Sequence, residues 1–90
     1  MKKALYSVVI PVYNEQGNLL ELYRRLIPVM EKTDSFEIIF VNDGSSDMSL
    51  SILKGLQQKN KNIRVINLSR NFGQQAAITA GLENCSGEII

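Results

Sequence analysis

Phe36-Glu37-Ile38-Ile39-Phe40-Val41-Asn42-Asp43-Gly44-Ser45-Ser46-Asp47 is the stretch on which the reading of this 90-residue chain turns. Its first six residues are β-branched or aromatic apart from Glu37, as in a strand covered on both faces. Apolarity stops at Asn42, and the strand empties into a loop of small, polar and acidic residues. The period then changes: Met48, Ile52 and Leu56 recur at four-residue steps. That spacing predicts a helix over about 48–59 with those three side chains inward and Ser45 or Ser46 as its cap.

The same cycle lies on either side. Upstream, Tyr6 to Val12, within the apolar run Ala4–Tyr13, reads as a first strand, with Pro11 near its end or where a ladder partner is missing. Asn18-Leu19-Leu20-Glu21 has capping-box spacing, although Asn14 can open the helix a turn earlier. Leu19, Leu22, Tyr23, Leu26 and Met30 form one apolar stripe, and Pro28 predicts a kink or break because the carbonyl of Arg24 loses its donor. Downstream, Ile63–Leu68 is a third strand and Ser69-Arg70-Asn71-Phe72-Gly73 a turn with one buried ring. Gln74–Asn84 is a helix whose Ala76, Ala77 and Ala80 permit close approach to a sheet, and Glu88-Ile89-Ile90 starts a fourth strand after Ser86-Gly87. Strand–helix alternation with short connections predicts an α/β fold, a mostly parallel sheet in a three-layer α/β/α arrangement. Because the last residues lie inside a strand, residues 1–90 read as the first part of a longer protein.

Composition narrows the function. Hydrophobic residues are 44% and charged residues 21%, as in an ordinary globular chain, and the formal charge of +1 gives no global attraction to nucleic acid or membrane. The chain has no histidine, so a histidine proton shuttle and any Ser-His-Asp relay are excluded. One cysteine, Cys85, permits no internal disulfide and no cysteine-based zinc site. Met1-Lys2-Lys3 before an apolar run imitates a secretion signal, but Pro11, two tyrosines and the want of a cleavage site argue for a buried strand. No stretch approaches the roughly 18 apolar residues of a membrane helix. From Lys54 to Arg70 the charges are all basic, and Lys54, Lys59, Lys61 and Arg64 read as a solvated face.

Ligands of open parallel sheets bind beyond the carboxyl ends of the strands. Three polar loops fall there: Pro11–Glu15, Asn42–Asp47 and Ser69–Gly73. Asp43 follows an apolar strand directly, so its carboxylate sits at the sheet's rim, partly desolvated, where it can accept an N–H from a base edge. Gly44 allows a positive φ and close backbone approach, and the helix behind Ser45 and Ser46 offers N–H groups to an anion. The same residues also suit a plain turn, with Asp47 complementing the helix dipole. Glu15 suits a ribose hydroxyl or the first turn of a helix. Arg70 suits a diphosphate, a base or plain solvent. Tyr13 suits a pocket wall or simple packing. Asp43 and Asp47 can in principle share a hard cation.

Several catalytic patterns are missing: a Gly-x-Gly-x-x-Gly turn, a Gly-Lys-Ser/Thr phosphate loop and a Gly-x-Ser-x-Gly elbow. Val9-Ile10-Pro11-Val12-Tyr13-Asn14-Glu15 and Val41-Asn42-Asp43-Gly44-Ser45-Ser46-Asp47, in that order, resemble the opening motifs of inverting family two GT-A glycosyltransferases. Ser69-Arg70-Asn71-Phe72-Gly73-Gln74-Gln75-Ala76-Ala77 is similar to the branch that acts on polyprenyl or dolichyl phosphate. The resemblance runs from Ser7 to Ile90. It implies a Rossmann-like GT-A nucleotide-binding half, incomplete here, forming a single N-terminal subdomain over 1–90 of a longer enzyme.

By the same resemblance, Pro11, Tyr13 and Glu15 line a nucleoside pocket, Asp43 holds the base with Gly44 beside it, and Asp47 and Arg70 lie near base, ribose or diphosphate. The implied reaction moves a sugar, with inversion, from a nucleoside diphosphate sugar of the UDP-glucose or GDP-mannose type to a lipid-phosphate acceptor. The implied setting is the cytoplasm or the cytoplasmic face of a membrane. Mg²⁺ or Mn²⁺ is implied for the full-length enzyme, its Asp-x-Asp ligands and the catalytic acid falling beyond residue 90. The competing expectations are an inert α/β segment that self-associates through an exposed sheet edge and a flavodoxin-like signalling module. The latter wants an acidic cluster where the first strand here ends in Pro-Val-Tyr-Asn-Glu.

Overall fold

The computed structural model describes residues 5–33 and 35–89. Seven elements follow in order: β1 (Leu5–Val12), α1 (Leu19–Met30), β2 (Ser35–Asn42), α2 (Ser49–Lys59), β3 (Ile63–Asn67), α3 (Gln74–Asn84) and β4 (Glu88–Ile89). The strands form one sheet in the order β3-β2-β1-β4 with every pairing parallel. Expected Ala4 and Ile90 lie outside the described residues, as do Met1, Lys2 and Lys3.

Register matters more to function than strand count. β1 pairs with β2 from Leu5↔Ser35 to Val12↔Asn42, and β2 with β3 from Ile38↔Ile63 to Asn42↔Asn67. The three strands therefore finish level, and their following loops leave from one rim. Pro11, penultimate in β1, lies past the two pairs made with β4, Tyr6↔Glu88 and Ser7↔Ile89. A missing N–H is tolerated best near a strand's end.

Two-residue alternation along β2 sends its side chains to two cores. Phe36, Ile38 and Phe40 join Val12, Leu19, Met30, Leu53, Leu56 and Ile63 beneath α1 and α2. Ile39 and Val41 join Ala77 beneath α3. Helices on both faces make the three-layer α/β/α arrangement that the alternation predicts. On α3, a Cβ at Gly81 would collide with the side chain of Val9, so the helix approaches β1 more closely than any larger residue allows. Ala77 and Ala80 pack on this side, whereas Ala76 is exposed.

Several local expectations are corrected. Leu22 is exposed, and Ile27 takes its place among the packed side chains of α1. Pro28 does not break α1, which runs two residues further; the orphaned carbonyl belongs to the solvent-facing Arg24. Asn18 precedes α1 but makes no capping-box bond; its amide donates instead to Glu15 Oε2, 2.9 Å away. Glu21 pairs with Arg25 and Arg24 on the outer face. In α2, Met48 is exposed and Leu53, not singled out by the four-residue spacing, is fully buried.

Arg64 is not a solvated cation. Its guanidinium donates to Glu37 Oε1 at 3.1 Å and to the carbonyl of Asn84 at 2.7 Å. The nearly buried Glu37 also accepts the Ser7 hydroxyl at 2.6 Å and the N–H of Ser86, and Ser7 Oγ accepts the N–H of Gly87 at 2.9 Å. One carboxylate thereby ties β1, β2, β3 and the turn into β4. Burial pushes the Glu37 carboxyl up, but Ser7, Ser86 and Arg64 together hold it below the usual carboxylate range. A lowered folded pKa means a contribution present above the unfolded value and lost as pH falls through the folded one. Replacing Glu37 by Gln should cost about 1–3 kcal/mol at neutral pH, because Arg64 and two donors lose a charged partner. It should also flatten the fall in stability between about pH 5 and pH 3, read from denaturant midpoints across that range.

Candidate functional site

The loop after β1 and the loop after β2 are laced together by reciprocal bonds. Asn14 adopts a left-handed backbone (φ 52°), so it lies in the loop and does not open α1. Its N–H donates to Ser45 Oγ (2.9 Å) and its Oδ1 accepts the N–H of Ser46 (2.8 Å). The N–H of Glu15 donates to Ser49 Oγ at 2.9 Å, and that of Gln16 to Asp47 Oδ2 at 3.2 Å. Met48 N–H donates to Gln16 Oε1 at 2.8 Å. Ser45 and Ser46 therefore hold Asn14 and do not cap α2. The N-cap position is Met48, which has no side-chain cap, and Asp47 just before it accepts the N–H of Ser49 with Oδ1 at 2.9 Å. The Ser49 hydroxyl, then the backbone N–H groups of Ser49 and Gln16, outweigh desolvation and keep this carboxyl below its usual range. Gln16 and Asp47 thus occupy the N–H groups of Met48 and Ser49, part of the helix start that the sequence offered to an anion.

Asp43 fastens the second loop to the third. It is 2% exposed, far more buried than a rim carboxylate was expected to be. Its N–H donates to the carbonyl of Val12 at 2.8 Å, continuing the β1–β2 ladder by one residue. Oδ1 accepts the N–H of Phe72 at 2.8 Å. Oδ2 accepts the N–H of Gly73 at 3.1 Å and Nδ2 of Asn71 at 3.0 Å, and that same amide reaches the Asp43 carbonyl at 3.1 Å. Gly44 follows with φ 70°, and a Cβ there would strike the backbone of Arg70 and Asn71. The loops approach so closely that only glycine fits.

The three loops surround a cavity of about 490 Å³ at the level carboxyl ends of β1, β2 and β3. Pro11, Val12, Tyr13 and Glu15 form the wall from the first loop, Asp43 that from the second, and Asn71, Gly73 and Gln74 that from the third. Of the residues expected here, Pro11, Tyr13, Glu15 and Asp43 are brought together. Tyr13 is half exposed at the opening, which favours a wall over a packing role. Gly44 and Asp47 stand behind the wall as supports. Arg70 is also outside it, its guanidinium stacked 4.8 Å from the centre of the Phe72 ring. That ring is exposed, not buried as expected. Asn71 and Gln74 were missed as wall residues; the positive φ of Gly73, which turns the chain into α3, brings them there. The first turn of α3 has no acidic residue and no side-chain cap of its own, and the Asp43 carboxylate, accepting the N–H of the N-cap Gly73, sits against the positive end of its dipole.

For a divalent cation the fit is poor. Among the described residues no three acidic, cysteine or histidine side chains cluster as a metal site. The Asp43 carboxylate faces three N–H donors, the Asp47 carboxylate faces two, and Glu15 Oε2 takes the Asn18 amide.

Substitutions at this junction should act on stability as well as on binding. Asp43→Ala strands three donors and should lower unfolding free energy by about 2–4 kcal/mol. Gly44→Ala, strained and colliding with backbone, should cost roughly 2 kcal/mol or more. Thermal or urea unfolding reads both; a wild-type midpoint for either contradicts the geometry.

The Glycosyl transferase family 2 model matches residues 7–90. An uncharacterized glycosyltransferase of Bacillus subtilis, YkcC, is 46% identical over 86 residues, covering 94% of this chain and 27% of its own length. The undecaprenyl-phosphate 4-deoxy-4-formamido-L-arabinose transferase of Salmonella choleraesuis is 48% identical over 86 residues, covering 93% and 26%. Among solved structures, S. aureus TarS 1-349 in complex with UDP superposes with a TM-score of 0.77 at 30% identity, over 94% of this chain and 25% of that one. The mannosyltransferase PcManGT of Pyrobaculum calidifontis, in complex with GDP-Man and Mn²⁺, gives 0.82 at 18% identity over 99% and 26%, a likeness of fold. The chain spans about a quarter of the length of these relatives. By its sequence and by its GT-A architecture, this chain belongs to glycosyltransferase family 2.

Proposed function

We propose that the chain forms the nucleotide-sugar-binding subdomain of a longer enzyme. That enzyme transfers a sugar, with inversion, from a nucleoside diphosphate sugar to polyprenyl phosphate at the cytoplasmic face of a membrane. The observation that carries the reading is the cavity itself. Its wall joins an aromatic ring, two acids and the amino end of a helix at the rim where parallel sheets receive ligands. The matched relatives named for undecaprenyl phosphate support the choice of acceptor.

Each wall residue has a task in this reading. Tyr13 covers one face of the base, Asp43 accepts from its edge, and Glu15 accepts from a ribose hydroxyl. The diphosphate lies toward the start of α3, where backbone N–H groups favour negative charge. Arg70 reaches the diphosphate or base from its perch on Phe72. Asp47 is a positioning residue, acting through Gln16 and Ser49 on the first loop. An oxygen of the lipid phosphate attacks the anomeric carbon, and the nucleoside diphosphate departs with the electrons of the broken C–O bond. The attacking oxygen is already ionised, so a chain with no histidine loses nothing by it. The metal-binding Asp-x-Asp and catalytic acid belong, in this reading, to residues after the fourth strand. Among the described residues no helix is long and apolar enough to cross a membrane.

Tyr13→Ala tests the assignment with little structural side effect, because the ring is half exposed. Losing base–aromatic stacking, about 1–3 kcal/mol, should weaken nucleoside diphosphate binding roughly tenfold by calorimetric titration while leaving the thermal midpoint unchanged. Undiminished affinity would remove the nucleoside from this cavity.

A further inference from the structure

We infer that Asn14 is a positioning residue for nucleotide binding: by clamping the second loop, it aims its chain neighbours Tyr13 and Glu15 into the cavity. The inference rests on the nucleotide-binding reading above and adds to that site a residue that acts without touching the ligand. Tyr13 and Glu15 both line the cavity, whereas Asn14 between them does not. Tyr13 is half exposed and Glu15 is exposed as well, so burial fixes neither side chain. Their placement depends on the backbone that carries them.

That backbone is unusual at one point. Among the described residues, Asn14 is the only non-glycine with a positive φ, 52°. Asparagine tolerates this region better than most residues, yet such a conformation persists where the surroundings over-determine it. Here they do. The N–H of Asn14 donates to Ser45 Oγ at 2.9 Å, and its Oδ1 accepts the N–H of Ser46 at 2.8 Å. The two bonds run in opposite directions between one residue of the first loop and two adjacent residues of the second, so they fix orientation as well as distance. The bond from Glu15 N–H to Ser49 Oγ, at 2.9 Å, continues the lacing one residue on. Ser45 and Ser46 lie outside the cavity wall, so the clamp reaches a ligand through the wall residues it holds.

The test is calorimetric titration of UDP and of GDP into the full-length enzyme and its variants, with the thermal midpoint of each measured alongside. Asn14→Gly keeps the positive φ and removes the Oδ1 acceptor, and it should weaken the better-bound nucleotide about fivefold or more. Ser45→Ala opens the other half of the clamp from outside the cavity and should weaken the same nucleotide about threefold. In a Tyr13→Ala background the ring to be aimed is gone, and the Asn14→Gly penalty should shrink to about twofold or less. Should Asn14→Gly fail to fold, Ser45→Ala is carried through the same two backgrounds. Unchanged affinity in either variant, or a penalty equal with and without Tyr13, overturns the inference and leaves the proposed function standing, with Asn14 serving the fold alone. Binding of neither nucleotide by the wild type overturns both.

Discussion

A single buried carboxylate governs the geometry of the rim. Asp43 ends the β1–β2 ladder with its own N–H and then spends its two oxygens on three donors from the loop between β3 and α3. Buried carboxylate oxygens without donors would be costly. The donors solve that problem and, in doing so, pull the third loop against the second. Gly44 is the steric counterpart of this electrostatic knot, since the loops meet where a side chain would stand. With Asn14 and Asp47 lacing the first loop to the second, all three tips become one rigid wall.

The wall stands where it does because of the register beneath it. β1, β2 and β3 end level, and each delivers its loop to the same side of the sheet. The Glu37 network lies on the same strands nearer their starts and anchors the turn into β4. One buried acid near the beginning of the strands and another at their end divide the labour: Glu37 holds strands together, and Asp43 holds loops together. The second lies on the wall of the cavity.

Strand and helix identity were legible because continuous β-branched runs such as Ile38–Val41 and the Ala-rich Gln74–Asn84 satisfy local and global demands alike. The positions of Pro11, Tyr13, Glu15 and Asp43 were legible too, since strand ends of a parallel sheet place them. What escaped was set by tertiary bonds. Ser45 and Ser46 leave α2 uncapped because they are drawn to Asn14 across the loops, and Asp47 meets the N–H of Ser49 instead. Arg64 looked solvated because nothing local announces Glu37, twenty-seven residues away. Leu53 was passed over for Met48 because the four-residue count was begun one residue too early, outside the helix proper. Asn71 and Gln74 became wall residues only through the left-handed turn at Gly73.

In the proposed function the wall built around Asp43 receives a nucleoside diphosphate. Backbone amide chemical shifts recorded during titration with uridine diphosphate address it residue by residue. The amides of Tyr13, Asn71, Gly73 and Gln74 should move together and saturably, while those along the solvent face of α1 stay fixed. Shifts confined to other surfaces, or none at concentrations where relatives of this family turn over, would contradict it.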